Sequence, residues 1–469
     1  MIREVAAAAL VLLPAMARAQ TAQEDPDLAR IPQGPAQPPA PVDTRQGVAA
    51  SAHVYIEDAL SVAHNRSASS AIVPAGPAIR WFDLLFADAR FAQPLGNGWT
   101  INYGGRVNVQ IEKYAALPAG KSFRLDTREA YLSWAPREGW FVDAGRINLK
   151  SGVALGYNPT DFFRTRAVVE ALSSDPAVLR DDRLGALMLR IQAVWPRVSV
   201  TVAYAPSLYR PSPIYQNRSL PRFDPMLDRT NAADRLLVKV NAKISDEFSP
   251  EILLYSENGR TVMGLNLTRG IGRSVVLYAE WAGGRRRNLI SEAIGYGRAT
   301  NSLLANVGDI LPTNRKTRFM NDLAIGASYT TSSKIVFNLE YHYHQAALDP
   351  RDWRHWFDAG SAARANPGIG AALWYVRGYA ADQQEPASRR SLFLRVDRQD
   401  AIVRNLELSA FANLDTADGS GFTEGEADYF LSDRLTLGAI AKAGFGARRS
   451  EFGSQPQALS LLLKVARYF

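Results

Sequence analysis

The chain has no cysteine in its 469 residues. That removes disulfides, thiol catalysis and Cys-based metal sites. An exported chain without disulfides must draw its stability from its sheet or core. Histidine is also scarce: five residues leave few combinations for a Ser–His–acid triad. The sequence holds no Gly-x-Ser-x-Gly elbow, no His-Glu-x-x-His helix and no Walker loop. Gly270-Ile271-Gly272 lacks the rest of a dinucleotide fingerprint and sits at a tight turn. Neither a cofactor nor a metal is expected. Beyond the N-terminus no stretch approaches the ~20 apolar residues that a membrane helix needs, and mean hydropathy is −0.16. Helical membrane proteins are excluded on that count. Membrane barrels are not, because alternating strands average to mild hydropathy.

The N-terminus reads as a secretory signal over residues 1–19. Arg3 precedes an apolar run from Val5 to Ala17, and Ala17-Arg18-Ala19 has the small-x-small form of a cleavage site. Residues 20–47 are rich in Pro and Gln, with Pro32, Pro35, Pro38, Pro39 and Pro41, and are expected to be an extended periplasmic linker. Net charge is +8 and the excess is spread along the chain. Export argues against a nucleic-acid partner, so lipopolysaccharide phosphates or an acidic solute are the natural counterparts.

From about residue 48 to 469 the pattern is that of strands. Over 99–112, Trp99, Ile101, Tyr103, Gly105, Val107, Val109 and Ile111 fall on one face. Thr100, Asn102, Arg106, Asn108, Gln110 and Glu112 fall on the other. This period-two alternation is longer than the five or six residues of an ordinary strand and suits a tilted membrane strand. It recurs over 198–204, 235–244, 275–281, 334–344, 435–442 and 459–469. Around 50–62, 79–93 and 140–148 the alternation is muddled.

Connections alternate in length. Short ones lie near 94–98, 135–139, 195–197, 245–249, 269–273, 330–333, 397–405 and 431–434. Longer ones lie near 63–78, 148–182, 206–232, 283–317, 345–388 and 445–456, with two short exceptions at 257–260 and 414–420. A membrane barrel has short periplasmic turns and long outer loops. The fold class expected is all-β, a transmembrane antiparallel barrel of about 18 strands in the bacterial outer membrane. Trp99, Trp134, Trp140, Tyr204, Trp281 and Tyr343 fall near strand ends, where interfacial girdles belong. Residues 368–384 fit either a short helix within a long loop or an extra strand.

A barrel of this width leaves an aqueous lumen unless loops plug it. The polar faces of the strands assign Arg106, Glu112, Arg235, Lys239, Lys243, Glu280, Glu340, Arg395, Glu424, Glu426 and Asp428 to its wall. Lys334, Lys442, Lys464, Glu251, Asp397 and Glu407 share that face. Basic residues gather at 235–243 and acidic ones at 424–428, a pattern that would set a transverse field across the lumen or simply solvate its wall. The long segment 148–182 carries an Asn-Pro turn and is a candidate constriction loop through Asn158, Asp161, Arg164 and Arg166; an external loop is the competing reading. His342, His344 and Glu340 share a strand face. They could form a metal site or proton relay, but hydrophilic wall residues are the simpler reading. Arg285-Arg286-Arg287 could meet lipopolysaccharide phosphates, or be a solvated loop.

Three features resemble Gram-negative outer-membrane porins. The chain ends Ala466-Arg467-Tyr468-Phe469, similar to the terminal-Phe assembly signal of such barrels. Arg128-Glu129-Ala130-Tyr131-Leu132-Ser133-Trp134, then Gly145-Arg146, then Gly156-Tyr157-Asn158-Pro159-Thr160-Asp161-Phe162, resembles the strand–strand–loop region of the alginate-export-type family. The sharpest part is confined to about 124–165. The strand count also suits that group. The resemblance implies a passive channel for polar or anionic solutes or polysaccharide, and no enzyme. The alternative is a non-transport barrel: a surface hydrolase, or an assembly component with a periplasmic partner for the Pro-rich tract. A TonB-coupled receptor is disfavoured, since the N-terminal tract is too short for a plug domain.

Overall fold

The computed structural model describes residues 50–469 except 67–70, 74, 76–77, 115–118, 170–171, 216–222, 304–310, 312, 315 and 363–366. The signal-peptide and linker expectations fall outside the described residues. Eighteen strands form one sheet. They are β1 (Ser51–Asn65), β2 (Ile79–Gly96), β3 (Trp99–Tyr114), β4 (Gly120–Arg137), β5 (Trp140–Ile147) and β6 (Ala186–Val194). Then follow β7 (Val198–Ala205), β8 (Arg235–Ala242), β9 (Glu251–Glu257), β10 (Arg260–Ile271), β11 (Val275–Arg286) and β12 (Arg318–Thr330). The last six are β13 (Ile335–His344), β14 (Arg390–Arg398), β15 (Leu406–Asp415), β16 (Gly421–Ser432), β17 (Leu435–Phe445) and β18 (Gln457–Tyr468).

Each strand pairs antiparallel with its sequence neighbours. β18 pairs with β1, with Tyr468 opposite Tyr55 and Lys464 opposite Ala59, so the sheet closes without an edge. Closure satisfies every strand's backbone groups within the wall, which a membrane-spanning sheet requires. The eight expected short turns all lie on one rim. At Asn97-Gly98 both residues have positive φ, 52° and 78°, as a tight turn of this hand demands.

The outer face carries the apolar belt. Leu60, Val62, Leu254, Ile325, Leu339 and Leu463 are all close to half exposed on it. In an aqueous protein such a surface would be a liability; around a closed barrel it is the lipid contact of an outer-membrane protein. Stacked Trp99 and Trp134, 5.3 Å apart, mark the periplasmic interface.

The muddled strands have local causes. In β1 and β2 the inward positions include Ala59, Leu84 and Phe86, which are buried, so both faces are partly apolar. In β5, Gly145 has φ 137° and breaks the alternation before Arg146. Opposite Gly104/Gly105 the register skips Arg128 in β4, a bulge that sends an extra side chain inward.

The described parts of the long connections carry helices: α1 (Pro176–Asp182), α2 (Leu289–Ala299), α3 (Pro350–Ala362) and α4 (Pro367–Asp382). Of the two readings for 368–384, the helix is what forms. α2, α3 and α4 bury Leu289, Ile294, Trp356, Phe357 and Leu373 together, and Val73 and Ile214 join the cluster from the β1–β2 and β7–β8 connections. Arg377 of α4 donates to the Glu451 carbonyl at 2.9 Å, tying in the β17–β18 connection. These connections start at points right around the ring. Their common core is therefore a helical cap across the outer mouth.

Candidate functional site

The connection 148–185 folds into the barrel. Its residues are held by side chains that the alternating pattern turns inward. The Glu280 carboxylate of β11 accepts the Ala154 N–H at 2.7 Å, the Val153 N–H and the Thr160 hydroxyl at 3.1 Å. The Glu340 carboxylate of β13 accepts the Leu155 and Gly156 N–H groups at 2.7 and 2.9 Å and the Tyr278 hydroxyl at 2.7 Å. Together the two carboxylates saturate a stretch of backbone that would otherwise lie unpaired inside the barrel.

On the far side the loop meets other strands. The Glu424 carboxylate of β16 accepts the Ser174 N–H at 2.8 Å and the Ser173 hydroxyl. Arg395 of β14 pairs with Asp175, which also caps α1 by accepting the Ala177 N–H at 2.9 Å. At the end of α1, Asp182 sits between Arg106 of β3 (3.1 Å) and Arg128 of β4, and both guanidinium groups also reach Asp88 of β2. The loop is thus fastened to β11 and β13, to β14 and β16, and to β2–β4, which lie around most of the ring.

The four residues expected at a constriction brace this loop from within. Asp161 takes a bidentate pair from Arg183 at 2.7 and 3.1 Å, with Arg180 at 3.6 Å. Burial alone would raise the Asp161 carboxyl, but Arg183 and Arg180 hold it below the usual carboxylate range. Asn158 donates to the Ser151 carbonyl at 2.7 Å and closes the Asn-Pro turn. Arg164 donates to the carbonyls of Asn158 and Asp161, at 2.7 and 3.1 Å, and to Gln384 O. Arg166 pairs with Asp382 of α4 at 3.2 Å and donates to Ser212 O. All four are buried. The last two join the loop to the cap above it.

The wall residues separate into pairs. Arg235 and Lys239 of β8 lie 3.7 and 3.2 Å from Glu257 and Glu251 of the neighbouring β9. Lys243, half exposed beyond the end of β8, pairs with Asp246 at 2.6 Å. Glu426 and Asp428 share Lys464 at 2.5 and 3.0 Å. β8 and β16 are eight strands apart in the ring, nearly opposite. Because each patch is neutralised by its own neighbours, much of any transverse field is cancelled locally. Glu112 lies apart from the loop, with Gln110 at 3.4 Å. Glu407 of β15 stands opposite Asp428 with no ion pair among the described residues.

Sequence reasoning missed Asp88, Arg128, Asp182 and Arg183. Arg128 was hidden by its bulge. Asp88 lies on a strand with muddled alternation, opposite Arg106, and Asp182 and Arg183 lie in a connection that has no periodicity.

The Glu340–His342 pair is present at 2.7 Å, and His342 Nδ1 is 3.3 Å from the Ser391 hydroxyl. This is the order of a catalytic row. Gly156, however, lies directly on it: a Cβ added there would meet Phe393 and His342 within 2.7 Å. Glu340 is committed to the loop backbone, so the row lacks both room for a substrate and a free acid. His344 instead joins Asp322 at 2.6 Å and Glu385 at 3.4 Å. Burial would raise the Glu385 carboxyl, but Arg286 and His344 beside it hold it well below the usual range.

No protein-family model and no curated protein sequence matches the chain. Among solved structures, the Pseudomonas aeruginosa porin OccK5 (OpdH) superposes with a TM-score of 0.51 at 9% identity, covering 90% of this chain and 98% of its own. OpdQ of the same organism gives 0.48 at 9% identity, with 90% and 98% covered. At such identity the likeness is one of fold, and the fold is that of an 18-strand outer-membrane porin barrel.

Proposed function

We propose that the chain is a passive outer-membrane channel for small polar solutes, whose bore is set by the inserted connection 148–185. One observation carries this reading. The loop is not a loose external excursion but a transverse element fastened to opposite walls by Glu280, Glu340, Glu424, Arg395 and the Arg106–Arg128 pair. A barrel built only as an anchor needs no charged wall to position backbone within its lumen. A channel that must be narrower than its barrel does.

Small solutes fit better than a polymer. The segment that resembles alginate exporters, Gly156 to Phe162, forms the packed interior of the loop and is not an arginine-lined conduit. The helical cap stands over the same lumen, and a polysaccharide needs an uninterrupted path through both. Single-channel recording of the refolded full chain tests the reading: discrete conductance steps support it. A folded barrel that never conducts refutes it.

A further inference from the structure

A cavity of about 260 Å³ lies where the inserted loop faces β16–β18, β1 and β2. Against the roughly 30 Å³ that one water takes in the liquid, this is room for a solute of the order of ten non-hydrogen atoms. Two hydroxyls look into it from adjacent strands: Ser61 of β1, 6% exposed, and Ser460 of β18, 5% exposed. Neither has a hydrogen-bond partner among the described residues. Both hydroxyls face the open space rather than a protein partner, so a solute that enters it meets two free groups that can each donate and accept.

The remaining lining decides the class of solute. Lys442 is the cavity's charged residue, but its three protons are spent: on Leu172 O at 2.5 Å, on the Ser174 hydroxyl at 3.1 Å and toward Glu424 at 3.5 Å. Glu424 is likewise committed to Ser173 and Ser174. The residues lining the cavity therefore hold no uncompensated charge, and Arg66 beside them spends its guanidinium on the Gly444 and Gln455 carbonyls, each at 2.7 Å. Phe82 of β2 and Phe422 of β16 supply apolar aromatic faces, and Gln455 adds a carboxamide from the outer connection. Hydroxyls and an amide beside aromatic faces, without free charge, match a neutral polyhydroxylated ring.

We propose that this cavity is a binding subsite for a neutral solute of about one sugar ring, hydrogen-bonded by Ser61 and Ser460. It deepens the channel reading and rests on it for its role in transport. The test uses the folded full-length chain in detergent and saturation-transfer NMR with D-glucose, with D-glucuronate as the charged match. Because Ser61→Ala and Ser460→Ala remove groups that the protein itself leaves unpartnered, the double variant keeps its fold, checked by the heat-dependent gel mobility of barrels. The expected result is saturable glucose binding that weakens at least tenfold in the double variant, with glucuronate binding no tighter. Absence of saturable binding, unchanged affinity in the variant, or tighter binding of glucuronate overturns the proposal. The readout needs no conductance. A silent barrel that binds glucose would sink the channel reading and leave the site. An open channel that binds none would do the reverse.

Discussion

Glu340 and Gly156 are 184 positions apart in sequence, yet the carboxylate of one accepts the backbone N–H of the other at 2.9 Å inside the barrel. With the neighbouring bonds to Leu155 and from Glu280, this contact turns an outer connection into an internal element. Charged hydrogen bonds of this kind are worth about 1.5–3 kcal/mol each. Replacing Glu280 and Glu340 together by Gln should free segment 153–156 to open on its own. The expected outcome is noisier conductance with a larger mean step, read in planar bilayers. Unchanged conductance would separate the loop from the bore.

Asp161 makes a sharper case, because its partner Arg183 is only 1% exposed. An Asp161→Asn change leaves that guanidinium buried without its counter-charge, at a cost of about 3–5 kcal/mol. The thermal midpoint of the barrel, or its refolding yield, should fall accordingly. Since the folded Asp161 carboxyl titrates lower than in the unfolded chain, its contribution is present above the unfolded pKa and is lost as pH falls through the folded one. The wild-type loop should loosen in strong acid, and the Asn variant should lose that acid transition.

The cap responds in the opposite sense. Glu451, in the β17–β18 connection beside Arg377 and facing Ser388, Asp415 and Asp418, has its carboxyl pushed up by burial to about 7. A carboxyl raised on folding gives stability that is full below its unfolded value and is lost as pH rises through about 7. The effect is of the order of 1–3 kcal/mol. Hydrogen exchange of α3 and α4, corrected for intrinsic rates, should therefore be slower at pH 5 than at pH 8. Glu451→Gln should abolish the difference, whereas a difference that survives would place its origin elsewhere.

Ion selectivity is set by wall charges that remain uncompensated. Glu407 has no ion pair among the described residues, and Asp428 opposite shares Lys464 with Glu426. Changing Glu407→Gln and Asp428→Asn together should shift the reversal potential in a salt gradient toward anions. Arg235→Gln uncovers Glu257 and should shift it the other way, toward cations.

The barrel was legible because its code is local. Trp99 to Ile111 announces a lipid-facing row without reference to any other strand, and turn length repeats around the ring. β1 and β2 were harder to read, since the apolar Leu84 and Phe86 are buried on the inner face, Phe86 between Tyr55 and Arg106, and β5 because Gly145 breaks its alternation. The site was legible in part for the same reason. Glu280 and Glu340 were assigned inward by alternation alone. That they would be spent on the backbone of 153–156 is a tertiary fact, as is the pairing of Asp182 with Arg106 and Arg128. The Asn-Pro turn marked where the loop bends, and its register on the wall follows from contacts no periodicity encodes.

A channel narrowed by its own inserted loop is checked by single-channel conductance of the refolded full chain across a salt gradient. Steady steps and a modest reversal potential are expected, with the steps enlarged when Glu280 and Glu340 are both replaced by Gln. A correctly folded barrel that stays silent in both forms would contradict it.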